Sequence, residues 1–373
     1  MPIAGIYVEV NASEEDPLYP LTAVLCESCG LVQLLDVLSP EIYEQYRYSG
    51  ATSDSYCDYL DHLAAELIGR LGGSGKRVLE VGCNDGYLLT KLKQLGAAQI
   101  VGFEPSVHLS SILSSRGIPV IADVFDNRAA SRLPFPKADL IVVRHVLEHI
   151  ENPNDFMVAI HDCLSPDGLV FIEVPDIESI INNHLYAHFY HEHQVYYSAS
   201  TLAALAKKHL LYCVETQRVP IHGGSVCMIF SKRSVTTCRS APSDIPQCKR
   251  QCIDYATRLF EHYELLKADV VAMLNSGLRV AGYGAAHRSV SACALAGFGT
   301  KEVRFLVDKN PLLQGLLIPG SRIPILETSA LCEMADVALI FASSFEKEIV
   351  GQNSAFVRQG GRFKSIVPTI RYI

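Results

Sequence analysis

Between residues 77 and 175 the chain alternates short apolar runs with amphipathic ones, and this alternation restricts its fold more than any other feature. "RVLEVG" reads as a buried strand, "GYLLTKLKQLG" as a helix closed by glycine, "QIVGFEP" as a strand and "HLSSILSSRG" as a helix. "PVIAD" and "ADLIVVRHVL" follow as strands, "FMVAIHDCLSPDG" as a helix and "LVFIEVP" as a strand. Strands separated by helices pair in parallel, so the order predicts an α/β fold with a doubly wound, Rossmann-like sheet. Beyond residue 200, "LRVAGYGAAHRSVSACALAG", "VRFLVDKNP" and "ADVALIFAS" repeat the strand, turn and helix pattern. Strand-like "VCMIFSK" and a long helical pattern at 246–275 stand between the two series. The 373 residues exceed one core. The expected division is a small N-terminal piece over 1–50, a first α/β domain over 51–200 and a second over 201–373.

The formal charge is −8, and no Lys/Arg run is long enough to neutralise a phosphate backbone, which argues against a nucleic-acid partner. No apolar stretch approaches the roughly 20 residues needed to span a bilayer. The opening "MPIAGIYVEVNASEED" lacks a basic region followed by a long apolar one. A cytoplasmic protein without a membrane partner is expected. Most of the 12 cysteines fall singly in strand-like and helix-like runs, as Cys83, Cys163, Cys213, Cys227 and Cys293 do, and read as small buried hydrophobes. Only Cys26 and Cys29, in "CESCG", have metal-ligand spacing. A tetrahedral structural zinc takes four ligands, and no second Cys-x-x-Cys accompanies this one.

"VLEVGCNDGYLL", residues 78–89, follows a strand and opens a helix. Gly82 and Gly86 let the backbone approach a ligand there. It is not G-x-G-x-x-G, because Cys83 and Asn84 follow the first glycine. Glu80 and Asp85 would repel a pyrophosphate and suit a cationic or amine-bearing ligand. S-adenosylmethionine carries both a sulfonium and an α-amine. Glu104 and Pro105 end the next strand in "FEPS", where an acid can accept both ribose hydroxyls. Asp123 and Val124, in "ADVF", end the third strand beside the expected adenine, and His145, in "RHVLEHI", ends the fourth. Features at four successive strand ends resemble the class I methyltransferases.

The resemblance extends along the chain in "YPLTAVLCESCGLVQL", "YRYSGATS", "FIEVPDIESI", "FYHEHQVYYS", "VPIHGGSV", "AGYGAAHRSV" and "DKNPLLQGLLIPGSRIPI". Together these are similar to the sugar C-methyltransferases that act on nucleotide-linked keto-deoxysugars. The resemblance implies a zinc-binding N-terminal piece, a class I methyltransferase sheet, a C-terminal Rossmann-like domain, S-adenosylmethionine as cofactor and a nucleotide-linked sugar as partner. The family's zinc piece uses two Cys pairs and this chain shows one, so zinc is not expected. Arg144, His145 and Glu148 replace residues that are commonly Asn and small in the family. Arg288 keeps the charge usual in the last Gly-rich turn.

"FYHEHQVYYS", residues 189–198, places His191, Glu192 and His193 among aromatics. A metal there needs a third ligand placed nearby, and aromatic-flanked histidines often hydrogen-bond locally in a core. The family resemblance implies instead that Tyr190, Glu192 and His193 face the sugar. Methylating a carbon next to a ketone requires removal of its proton, and a neutral histidine can take it. His193 is the expected base; Tyr190, Glu192, His149 and either Tyr46 or Tyr48 are its expected aids, with hydrogen bonds to the developing oxyanion. For the nucleotide-sugar we expect Tyr46, His222, Gly223, Gly284 and Arg288, since a glycine turn before a helix can cradle a pyrophosphate. Two other functions stay open from sequence: O- or N-methylation (or C-methylation of a non-sugar ketone) on the same architecture, and a non-catalytic nucleotide-binding protein.

Overall fold

The computed structural model describes residues 1–12, 16–37, 54–73, 75–234 and 244–373. Seven strands make the central sheet: β1 (Arg77–Val81), β2 (Gln99–Phe103), β3 (Val120–Ile121), β4 (Ala138–Arg144), β5 (Leu164–Pro175), β6 (Tyr212–Val219) and β7 (Ser225–Ser231). Their order is β6-β7-β5-β4-β1-β2-β3. Strands β1 to β5 pair in parallel, whereas β7 runs antiparallel to both β5 and β6. This is the class I methyltransferase arrangement.

The strands are apolar on both faces because helices cover both. Leu79, Val81, Ile141 and Val143 lie in one cluster; Val78, Leu140 and Val142 lie in another with Leu63 and Leu67 of helix α1 (Asp54–Arg70) and Leu88 and Leu92 of α2 (Tyr87–Gln94). Helix α3 (Val107–Ser115) starts at Ser106, whose side chain accepts from Leu109 N, and α4 (Pro153–Cys163) starts after the cap Asn152 with proline in its first turn. These starts lie at the C-terminal edge of the sheet, where the strand-to-helix loops gather.

The expected boundary at residue 200 falls inside this sheet, which takes β6 and β7 from beyond it. "VCMIFSK" belongs to β7 and not to a segment between domains. An edge hairpin has no helix between its strands, so the strand-helix alternation used to draw the boundary is silent there.

Helix α5 (Ile245–Asn275) leads into a second sheet of β8 (Val280–Tyr283), β9 (Leu306–Val307), β10 (Ile325–Leu326), β11 (Val337–Ile340), β12 (Arg362–Ser365) and β13 (Arg371–Tyr372), ordered β10-β9-β8-β11-β12-β13. Helix α6 (His287–Ala296) follows β8. The N-terminal piece is not self-contained. Its strands Ala23–Leu25 and Val32–Leu34 form a sheet with Val195–Tyr196, drawn from the stretch after His193. No described helix is long and apolar enough to cross a membrane.

Candidate active site

A cavity of about 600 Å³ opens at the C-terminal ends of β1, β2 and β4. Gly82, Asn84, Asp85, Glu104, Pro105, Asp123, Val124 and His145 line it, as do His149 and His222. Glu104 is buried and accepts Asn84 N on one oxygen and Ser106 N on the other, both at 2.9 Å. Burial raises its pKa and the two N–H groups pull it back. The carboxylate therefore fixes the β1 turn against the β2 turn and keeps acceptor capacity for hydroxyl donors. Asp123 accepts Val124 N at 2.8 Å and is paired with Arg132 at 2.5 Å.

Two expected cofactor positions serve the fold directly. Gly86 has φ 73°, and a Cβ there would collide with the side chains of Leu113, in α3, and Ile118, just after it. Packing thus accounts for this glycine without a ligand. Glu80, 1% exposed, lies under the cavity with Arg144, whose guanidinium is 3.2 Å from it and donates to Tyr56 Oη at 2.8 Å. Burial pushes the Glu80 pKa up to about 7 against the pull of Arg144.

His145 sits at φ 51° with its ring between two buried acids, Nδ1 at 3.4 Å from Glu148 and Nε2 at 3.3 Å from Glu173. Burial disfavours its charged form, but Glu173 and Glu148 outweigh burial and push its pKa up to about 9. The left-handed backbone is one that Asn adopts with little strain. A folded-state pKa above the unfolded value of 6.5 stabilises the fold fully below pH 6.5, and that contribution is lost as pH rises through about 9. The melting temperature is expected to fall across this window, and His145→Asn to flatten the fall; a variant with the same slope would locate the effect elsewhere.

The stretch 189–194 is a turn, with His193 N bonded to Tyr190 O at 3.1 Å, and only Val195–Tyr196 is strand. The turn separates the three central side chains. His191 points to the N-terminal piece, with Nε2 at 2.9 Å from Pro20 O. Glu192 faces the second domain, 3.0 Å from His287 Nε2 at the start of α6. His193 Nε2 is 2.9 Å from Tyr190 Oη. Burial first, and then His149, His287, His145 and His188, hold its pKa well below the usual histidine value, so the ring is neutral near pH 7. Burial also raises Tyr190 well above its normal range. His149 stands against His193, ring centroids 4.9 Å apart, and its Nδ1 donates to Glu192 O at 2.6 Å. Tyr46 and Tyr48 lie outside the described residues.

Glu148, His149 and His193 offer ligand atoms within 4.8 Å of one another. His193 Nε2 is already bonded to Tyr190, and Glu148 is paired with His145, so we read the group as an acid–base cluster.

His222, at φ 52°, packs against His145 and Tyr56 with centroids 4.8 and 5.1 Å away. Gly223 lies beside His188, whose Nε2 is 3.1 Å from His222 O. In the second domain, Gly284 and Arg288 line a cleft of about 120 Å³ between the ends of β8 and β11, with Asp308 and Phe345. Gly284 has φ 94° and lies where a Cβ would come within 2.7 Å of Ala342 Cβ, so strand packing requires it independently of a phosphate. Asp308 accepts Ala285 N at 2.7 Å, and Arg288 donates to Ser344 Oγ at 3.0 Å. Sequence reading did not find His188 or His287. His287 gains its partner Glu192 only from the contact between the two units, and His188 gains His222 O from a turn 34 residues away in sequence.

Cys26 and Cys29 form a compact knuckle closed by Gly30 N bonded to Cys26 O at 2.9 Å. Backbone N–H groups of Ser28 and Cys29 lower the Cys26 thiol pKa. The knuckle presents two sulfurs, and no other His, Cys, Asp or Glu among the described residues gathers with them into a group of three. Two ligands do not fit a structural zinc site. Elemental analysis after chelator washing is expected to show no stoichiometric zinc, with an unchanged melting temperature; about one zinc per chain would contradict this.

Three family models match successive parts of the chain. A "Putative zinc binding domain" matches residues 1–43, a methyltransferase domain 54–216, and a C-methyltransferase C-terminal domain 220–368. C-methyltransferase NovU of Streptomyces niveus is 28% identical over 388 residues, covering 100% of this chain and 92% of that protein. A ubiquinone biosynthesis O-methyltransferase of Shewanella halifaxensis is 26% identical over 42% of this chain and 69% of its own. Among solved structures, the 1,6-didemethyltoxoflavin-N1-methyltransferase of Burkholderia thailandensis, with bound 1,6-didemethyltoxoflavin and S-adenosylhomocysteine, matches with a TM-score of 0.37 and 19% identity over 48% of this chain and 80% of that one. With its cavity ringed by strand-end acids and its three matches in order, the chain is an S-adenosylmethionine-dependent methyltransferase, similar along its whole length to a C-methyltransferase.

Proposed function

We propose that the protein methylates the carbon next to the ketone of a nucleotide-linked 4-keto-deoxysugar, through an enolate. The observation that carries this reading is the 3.0 Å contact between Glu192 and His287, which joins the two Rossmann-like units beside the histidine cluster. A substrate reaching that cluster meets both units, which suits a molecule with a reacting sugar at one end and an anionic nucleotide at the other. Arg288, one residue beyond His287, supplies the cation on the nucleotide side.

S-adenosylmethionine supplies the electrophilic methyl when it occupies the 600 Å³ cavity. Gly82, Asn84 and Asp85 would hold its methionyl part, Glu104 would accept from the ribose hydroxyls, and Pro105, Asp123 and Val124 would border the adenine. His145 is spent on Glu148 and Glu173 and acts by its charge. His193, neutral and dry, takes the proton from the carbon, while Tyr190 and His149 hydrogen-bond the cluster and the oxygen that becomes negative. His222, Gly223, Gly284 and Arg288 form the path of the nucleotide-sugar.

Turnover with a panel of nucleotide-linked keto-sugars, set against the same sugars without the nucleotide, tests the reading. Methyl transfer confined to the nucleotide-linked forms is expected; equal transfer to the free sugars would remove the second domain from substrate binding.

A further inference from the structure

Glu148 is 1% exposed, and neither of its oxygens has a hydrogen-bond partner among the described residues. A buried carboxylate in that condition is costly unless cations face it. Two rings do, His145 Nδ1 at 3.4 Å and His193 Nε2 at 4.0 Å. His145 already has a counter-ion in Glu173, 3.3 Å from its other nitrogen. A second acid is therefore more than His145 alone requires, and the ring that gains from it is His193 once it carries a charge. The two nitrogens of His193 have different surroundings. Nε2 lies between Tyr190 Oη, at 2.9 Å, and Glu148 Oε1, whereas Nδ1 is buried without a hydrogen-bond partner among the described residues. The proton of a neutral ring belongs on the side with acceptors, and the lone pair on the other.

We propose that Glu148 is the positioning carboxylate of His193: it keeps the ring proton on Nε2, leaves the Nδ1 lone pair to take the proton from carbon, and balances the imidazolium that results. The proposal rests on the reading of His193 as the base. In this step the C–H bond breaks, its electron pair passes to the ketone oxygen as the enolate, and the proton forms the Nδ1–H bond. No proton moves to Glu148, which stays a carboxylate throughout. Glu192, adjacent to the base in sequence, is engaged with His287 on the other side of the turn, so the partner comes from the end of β4.

Two measurements test this. Nitrogen NMR of the wild-type chain with labelled histidine, assigned with His193→Asn, should show His193 protonated on Nε2. The second follows exchange of the α-hydrogen of thymidine-diphospho-4-keto-6-deoxyglucose in deuterated water, with S-adenosylhomocysteine in place of the methyl donor. Glu148→Gln should slow exchange by roughly tenfold to a hundredfold, with cofactor affinity unchanged, and Glu148→Asp should recover part of the loss. A wild-type ring protonated on Nδ1 would overturn the proposal without any variant having to fold. So would wild-type exchange in Glu148→Gln alongside lost exchange in His193→Asn, which overturns the role of Glu148 alone. Wild-type exchange in His193→Asn would instead remove the base itself, and the proposal with it.

Discussion

His193→Asn is expected to lower turnover by roughly 10²–10⁴, the usual share of general base catalysis, while leaving the fold and cofactor affinity unchanged. Asn fills much of the imidazole volume and can still hydrogen-bond Tyr190, so the turn at 190–193 keeps its anchor. It cannot take a proton from carbon. The low pKa of His193 sets the cost and the benefit together: the ring is fully available as a base near neutral pH, yet its charged form is disfavoured by burial and by His149, His287, His145 and His188. A weak base succeeds only if something stabilises the imidazolium as it forms, and Glu148, 4.0 Å away, is the anion placed to do so. Single-turnover kinetics would decide the point. A variant that loses cofactor binding would mark the stretch as structural, and one that turns over at the wild-type rate would move the role to another side chain.

Glu104→Ala should weaken S-adenosylmethionine binding by about 2–4 kcal/mol, read by calorimetry. Part of the loss is the ribose hydroxyls, which lose a charged acceptor. The rest is internal, because Asn84 N and Ser106 N lose the oxygens they share at 2.9 Å and the turns at the ends of β1 and β2 lose their tie. Glu104→Gln separates the two contributions, since it keeps one acceptor for a backbone N–H and removes the charge. It should fall between wild type and Ala. Wild-type affinity in the Ala variant would mean that the cofactor lies elsewhere in the cavity.

The lining of the cavity could be read from sequence because it is local. Asp85, Glu104 and Asp123, which line the cavity, stand within a few residues of a strand end, and strands and their exits follow from apolar runs and turn residues. Gly86 shows the limit of that reading. A glycine at a strand-to-helix turn looks the same whether a ligand or a neighbouring side chain needs the space, and here Leu113 and Ile118 need it. The histidine cluster proposed to be catalytic is non-local. His193 gains its meaning from Glu148 and His149 at the end of β4, and Glu192 from His287 in the second domain. No periodicity connects these positions, and the turn at 190–193 sends His191 and His193, which would share one face of an extended strand, to different partners. The β6–β7 hairpin was hidden for a related reason, since β6 is half-buried along most of its length and carries little alternation.

The position of the transferred methyl tests the central claim most directly. Incubation of the protein with S-adenosylmethionine bearing a carbon-13 methyl and a nucleotide-linked 4-keto-deoxysugar, followed by carbon–proton NMR of the product, distinguishes a C-methyl from an O-methyl or N-methyl by shift and coupling. The account predicts one methyl on the carbon next to the ketone, with that carbon's hydrogen released to solvent. A methyl on oxygen or nitrogen, with the α-hydrogen retained, would contradict it.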